Sequence, residues 1–97
     1  MRDLLQETRA FLTQERDRLH ACYGVRSIAI FGSVARGEAV GASDLDILVD
    51  MDSPTFDRYM DLKFELEDRL GVDIDLVLNE ALKERVADSI RREAVYV

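Results

Sequence analysis

The segment that decides the fold is GSVARGEAVGASDLDILV, residues 32–49. It follows a short, β-branched and apolar stretch, residues 25–31, which is typical of a strand. Its first part, residues 32–43, holds three of the five glycines of the chain and predicts a turn or a surface loop. In residues 44–50 acidic and aliphatic side chains alternate, which predicts a second strand with one buried face. Two strands joined through a glycine-containing turn therefore form the centre of the predicted fold.

Helices are expected on both sides of this centre. Apolar residues recur at helical spacing over residues 3–22 and again from Pro54 to Leu70. Gly24 and Gly71 follow these two stretches and are typical of helix ends. Two amphipathic helices that bury one face against the strands account for this pattern.

The start and the buried face of the second helix can also be predicted. The pair Ser53-Pro54 combines a capping hydroxyl with a residue whose missing N–H costs nothing at that position. The residues expected to be buried are Tyr59, Leu62, Leu66 and Leu70, and Tyr59, Phe56 and Phe64 also lie at helical spacing. We interpret these aromatic residues as part of the core and not as a platform for stacking a base.

The remainder of the chain completes an α/β pattern. Residues 72–78 alternate and predict a third strand, and Asn79 is expected to cap a last helix. That helix would carry Leu82, Val86 and Ile90. The order of elements predicts one domain over residues 1–97: a small mixed sheet of about three strands, flanked by helices.

Composition excludes several classes of protein. Of the 97 residues, 47% are hydrophobic and 34% are charged, which is typical of a globular chain and not of a disordered one. Apolar runs are at most four residues long, whereas a membrane-spanning helix needs about 20. Because no basic and apolar leader opens the chain either, we expect a cytoplasmic protein without a membrane partner.

Charge and residue types narrow the chemistry further. Twenty acidic and 13 basic residues give a net charge of −7, which argues against nucleic acid as a partner. One cysteine, Cys22, and one histidine, His20, exclude an intramolecular disulfide, a cysteine-rich zinc site and any site with two histidines. Carboxylates, hydroxyls, arginines and the backbone remain as candidates for a functional site.

Candidate site residues concentrate in the deciding segment. At Gly32 the backbone can approach a ligand closely, and Ser33 can open a short helical turn whose N–H groups hold a phosphate. Arg36 can add a charged contact to that phosphate. Asp44 and Asp46 are two residues apart on a strand and therefore project from the same face, which is unfavourable without a cation between them. Two aspartates on a strand are by themselves usually a solvated face, but in this combination they predict a magnesium–nucleotide site.

A third acidic residue is expected from the next strand. Asp73 and Asp75 repeat the spacing of Asp44 and Asp46. The register between the two strands decides which of them reaches the site, and the sequence does not give it. We prefer Asp75, because it directly precedes the aliphatic part of its strand, as Asp46 does.

These motifs together resemble a known family. Residues 32–37 (GSVARG), the five-residue loop 38–42 and residues 43–49 (SDLDILV) are together similar to the signature of the DNA polymerase beta-type nucleotidyltransferases. The chain most resembles the prokaryotic minimal nucleotidyltransferases of that superfamily. The resemblance covers nearly the whole chain and includes residues 74–77 (IDLV) and 92–97 (REAVYV).

The resemblance implies transfer of AMP from ATP to a hydroxyl group. Asp44 and Asp46 would bind Mg²⁺, with two ions expected, and Asp75 would complete the metal site and activate the acceptor. The triphosphate would be held by residues of the glycine-containing turn and the loop after it, namely Gly32, Ser33, Arg36, Gly37 and Ser43. All three acidic residues are thus expected to be both catalytic and metal-binding.

The resemblance also implies a partner. Minimal nucleotidyltransferases are commonly encoded beside HEPN-domain ribonuclease toxins and act as their antitoxins, some by adenylylating a tyrosine of the toxin. A catalytically idle antitoxin that only binds its toxin is one alternative, and transfer to a small molecule or an RNA end is another. The sequence leaves open the acceptor, the number of AMP units, the base preference and whether the protein forms homo- or hetero-oligomers.

Overall fold

The fold is described by a computed structural model that covers residues 3–37, 44–82 and 84–97. Within these residues the chain forms four α-helices, four strands and a 3₁₀ turn at Asn79–Ala81. The helices are α1 (Leu4–Tyr23), α2 (Gly32–Ala35), α3 (Phe56–Leu70) and α4 (Glu84–Glu93). The strands are β1 (Val25–Phe31), β2 (Leu45–Met51), β3 (Ile74–Leu78) and β4 (Val95–Tyr96).

The strands form one mixed sheet in the order β3-β2-β1-β4. β2 runs antiparallel to β1 and parallel to β3, and β4 runs antiparallel to β1. The mixed α/β fold is therefore as predicted, whereas the expected three strands become four among the described residues. β4 was not predicted because a strand of two residues is too short to show an alternating pattern.

Helices α1 and α3 supply the main core together with the strands. Both helices end at a glycine in the left-handed conformation, Gly24 and Gly71, as the sequence predicted. Apart from Thr8, the largest fully buried side chains are aliphatic and come from α1, α3 and the two central strands: Leu12, Leu19, Ile30, Leu45, Ile47, Val49, Leu62 and Leu66. These side chains fix the position of β2 between its neighbours, and β2 carries the predicted acidic residues.

The prediction that Phe56 and Phe64 lie in the core is wrong. Phe56 is 76% exposed and Phe64 is 56% exposed. Leu62 and Leu66 define the buried stripe of α3, and at about 100° per residue Phe64 lies on the opposite side of the helix from both. Tyr59, one helical turn before Leu62, is half-buried, and its hydroxyl donates a hydrogen bond to the carbonyl of Leu76.

Two predicted helix starts also need correction. Thr55 and not Ser53 caps α3: Thr55 Oγ1 accepts a hydrogen bond from the Arg58 N–H at 3.2 Å. Ser53 has a φ of 49°, which is incompatible with the extended backbone of an N-cap. Asn79 begins the 3₁₀ turn and α4 starts at Glu84, so that Asn79 does not cap the last helix.

Among the described residues, no helix combines the length and the apolar character that crossing a membrane requires.

Candidate active site

Asp46 and Asp75 lie side by side on neighbouring strands. In the parallel pairing of β2 with β3, Asp46 is in register with Asp75 and Leu45 with Ile74. Asp73 lies one residue before β3, where its main-chain carbonyl accepts a hydrogen bond from the Leu45 N–H at 3.0 Å. The register therefore places Asp75, the residue preferred on sequence grounds, directly beside Asp46.

The neighbouring acidic residues perturb the Asp46 carboxyl electrostatically. Burial raises the pKa of Asp46, and the charge of Asp75, a hydrogen bond with Asp75 and the charge of Asp44 raise that pKa further. The Arg36 guanidinium acts in the opposite direction and lowers the pKa of Asp46. Asp46 is half-buried, whereas Asp44 and Asp75 are exposed. Negative charge is thus concentrated at a point where one carboxylate is withdrawn from water, a feature common at functional sites.

Gly32 makes room for the Asp46 carboxylate. A Cβ atom built on Gly32 would lie 2.1 Å from Asp46 Oδ2 and 3.0 Å from Asp46 Cγ. Gly32 also has a φ of +73°, a conformation that residues with a side chain rarely adopt. The close approach follows from the antiparallel pairing of Phe31 with Asp46, which brings the end of β1 against the start of β2. Glycine is therefore required here on both steric and conformational grounds.

The turn after Gly32 is a short helix, as the sequence suggested. The Arg36 N–H donates to the Gly32 carbonyl at 3.2 Å, and the Gly37 N–H donates to the Val34 carbonyl at 3.1 Å. The N-cap residue, Phe31, makes no side-chain hydrogen bond to α2. Ser33 is half-buried in α2, and Gly37 is exposed with a φ of 72°. The predicted site residue Ser43 lies outside the described residues.

Arg36 has a partner that the sequence analysis did not single out. Arg36 Nη1 lies 3.0 Å from Oε2 of Glu93, the last residue of α4. Nothing in the spacing of the two residues, 57 positions apart, indicates this contact. The REAVYV segment did enter the family resemblance, but no role was assigned to its glutamate.

The donor set fits Mg²⁺ together with a triphosphate. In residues 3–37, 44–82 and 84–97 no group of three or more histidine, cysteine, aspartate or glutamate side chains is arranged to hold a metal ion. Mg²⁺ usually binds through one or two carboxylates plus substrate phosphates and not in a cage built only of protein groups. A pair of carboxylates in register, Asp46 and Asp75, with Asp44 nearby and an arginine acting on them, agrees with that mode of binding.

Fold and site together define a transferase core that handles nucleotides. Residues 12–97 match the nucleotidyltransferase domain family, and the chain belongs to that family. It is a nucleotidyltransferase of the minimal type.

Individual relatives agree with this assignment. The chain is 43% identical to the protein adenylyltransferase MntA of Thermococcus cleftensis over 94 residues, which cover 96% of this chain and 95% of the relative. A solved structure provisionally described as a minimal nucleotidyltransferase superposes with a TM-score of 0.81 at 39% identity, covering 94% of this chain and 93% of that one. A crystal structure of a toxin–antitoxin with AMP-PNP shares the fold at 22% identity, with a TM-score of 0.70, and covers 86% of this chain and 69% of that chain.

Proposed function

We propose that this protein transfers AMP from Mg²⁺-bound ATP to a hydroxyl group of a partner protein. The acceptor we propose is a tyrosine of a HEPN-domain ribonuclease toxin, so that the protein acts as the antitoxin. The observation that carries the proposal is the in-register pair Asp46 and Asp75, packed against a glycine that leaves room for the Asp46 carboxylate.

Asp44 and Asp46 would hold Mg²⁺ at the start of β2, with Asp75 completing the site. When bound, Mg²⁺ supplies positive charge that stabilises the oxygens entering and leaving the α-phosphorus, and two ions are expected. Half-burial of Asp46 strengthens its interaction with a cation, because fewer water molecules screen the carboxylate. Gly32, Ser33, Arg36, Gly37 and Ser43 would hold the triphosphate.

Asp75 is the candidate general base. Its side chain is exposed, so an acceptor hydroxyl can reach it from solvent, and it lies beside Asp46. The acceptor oxygen forms a bond to the α-phosphorus, the bond between the α- and β-phosphates breaks, and pyrophosphate leaves. The acceptor proton passes to the Asp75 carboxylate.

A protein acceptor is supported by the relative from T. cleftensis, which is named for adenylylating protein. The toxin–antitoxin complex supports a toxin as partner only through its fold. The net charge of −7 disfavours RNA as an acceptor. A cytoplasmic location, where ATP and such a partner would meet, stays a prediction.

The test is the intact mass of the candidate acceptor after incubation with this protein and Mg²⁺-ATP. Where a neighbouring gene encodes a HEPN-domain protein, that protein is the acceptor to use. We expect a gain of about 329 Da for each AMP added, and no gain with the Asp46→Asn variant. Peptide mapping then locates the modified residue.

Other outcomes separate the alternatives. Binding of ATP without a mass gain would refute the toxin as acceptor and direct the search to small molecules or RNA ends. If the Asp44/Asp46 double variant still neutralises the toxin fully, neutralisation by contact alone is the correct description and the proposal of transfer as the antitoxin mechanism fails.

A further inference from the structure

The ion pair between Arg36 and Glu93 connects the last helix to the candidate active site. Arg36 Nη1 and Glu93 Oε2 are 3.0 Å apart, and the two side chains are 42% and 41% exposed. Arg36 is also close enough to Asp46 to lower its pKa. Its guanidinium therefore interacts electrostatically with an acidic group in the site and with another at the end of α4.

The topology explains why Glu93 reaches this position. β4 pairs antiparallel with β1, with Val95 opposite Ile30 and Tyr96 opposite Ala29. Following this register backward from Val95 brings Glu93 toward Gly32, where β1 ends and α2 begins. Helices α2 and α4 are in contact. The two-residue strand thus fixes the end of α4 beside the turn that carries Arg36.

We infer that Glu93 is a positioning residue that holds the Arg36 guanidinium in place for the triphosphate of ATP. The inference rests on the proposed function, in which Arg36 contacts that triphosphate. A free arginine side chain loses rotamer freedom when it binds a phosphate, and an ion pair formed beforehand reduces that loss. In this arrangement Glu93 favours ATP binding through Arg36 and does not take part in the reaction itself.

The carboxylate of Glu93 also has an opposing effect, because its negative charge repels the triphosphate. Both groups are well exposed, so solvent and salt screen this longer-range repulsion more strongly than the 3.0 Å contact that orients the arginine. We therefore expect orientation to dominate. If orientation dominates, removal of the Glu93 carboxylate lowers the affinity for ATP, and if repulsion dominates, it raises that affinity.

The experiment measures the dissociation constant of the full chain for Mg²⁺-ATP by titration calorimetry. With Glu93→Ala we expect affinity to fall about threefold to fivefold, the upper part of the range measured for exposed ion pairs. Glu93→Gln keeps an acceptor oxygen at the same distance and is expected to lose less affinity than Glu93→Ala. Thermal unfolding of each variant shows whether it is folded.

A double-mutant cycle separates positioning from a general structural role. In an Arg36→Ala background, Glu93→Ala should change ATP affinity no further, because the side chain that Glu93 orients is absent. The matched control is Asp50→Ala, which removes another exposed ion pair of 3.0 Å, that of Asp50 with Arg26. This control should leave ATP affinity unchanged.

The outcomes are distinct for the two proposals. Unchanged or tighter ATP binding by Glu93→Ala, with the wild type binding ATP, would overturn the positioning role alone. An equal loss in the presence and absence of Arg36 would overturn it as well, because Glu93 would then act independently of Arg36. Absence of ATP binding by the wild-type chain would refute the proposed function and this inference with it.

Discussion

Substitution of Gly32 by alanine tests how the site is built. Two costs are expected, and the structure separates them. The first is conformational: Gly32 has a φ of +73°, and an L-residue with a side chain is less stable there by about 1–2 kcal/mol. For a chain of this size that lowers the unfolding temperature by about 5–15 °C.

The second cost is steric and acts on the site itself. The new Cβ would lie 2.1 Å from Asp46 Oδ2, 3.0 Å from Asp46 Cγ and 3.3 Å from Asp46 Cβ. Rotation of the Asp46 side chain relieves the first two contacts, and the third requires a shift of only a few tenths of an ångström. The rotation moves the carboxylate itself away from its position in the site. Because a displacement of about 1 Å costs about a hundredfold in rate, AMP transfer should fall by about that factor.

Gly71→Ala is the matched control. Gly71 has a φ of +70°, and a Cβ there would have no atom within 4 Å. This variant should lose stability through the conformational cost alone and should retain AMP transfer. In a cycle with Asp46→Ala, the stability cost of Gly32→Ala should shrink toward that of Gly71→Ala. The reasoning is refuted if Gly32→Ala keeps wild-type transfer, or if removal of the Asp46 carboxylate leaves its stability cost unchanged.

Three further predictions concern single side chains. Asp46→Asn should abolish AMP transfer, measured by the acceptor mass. It should not lower the unfolding temperature, because burial and Asp75 already disfavour the ionised carboxylate. A clear loss of stability would contradict this. Thr8→Val should raise the free energy of unfolding by about 1 kcal/mol in denaturant titration, since buried Thr8 Oγ1 has no hydrogen-bond partner among the described residues; destabilisation would show that the hydroxyl is satisfied in solution. Glu65 accepts hydrogen bonds from Arg18 and Tyr23, and these contacts, that with Arg18 foremost, lower the pKa of its carboxyl. The stabilisation that ionised Glu65 provides should therefore be present above its ordinary pKa of 4.5 and decline as the pH falls. The unfolding free energies of the wild type and Glu65→Gln should then converge in acid.

The strand cores were predictable because alternation is a strong local signal. The apolar stretch 25–31 is β1 without any change in its bounds, and the alternating stretch 44–50 is β2 shifted by one residue. The buried leucines of α3 were predicted from their spacing, but the exposure of its two phenylalanines was not. Phe56 and Phe64 are as apolar as the leucines of α3, and the choice of buried stripe depends on the packing of α3 against the sheet and not on residue type.

The candidate site shows the same division between local and tertiary information. Asp44 and Asp46 were predicted as site residues from their spacing along one strand, which is a local property. Asp75 lies beside Asp46 because of the register between β2 and β3. A shift of that register by one residue would turn the Asp75 side chain to the other face of the sheet. The Arg36–Glu93 contact joins residues 57 positions apart and exists only because β4 pairs with β1.

Both edge strands of the sheet, β3 and the short β4, are held in place by contacts that position the site. β3, at one edge of the sheet, is held partly by side chains of α3: Glu67 accepts a hydrogen bond from the Ile74 N–H at 3.0 Å, and Tyr59 donates to the Leu76 carbonyl. Both contacts involve main-chain groups of β3, the edge strand that carries Asp75. They therefore oppose slippage of the register between β3 and β2. At the opposite edge, β4 performs the corresponding task with two residues and fixes Glu93 beside Arg36. The geometry of the acidic pair and the arginine is thus set from the two edges of the sheet, whereas Asp46 itself lies on the central strand β2.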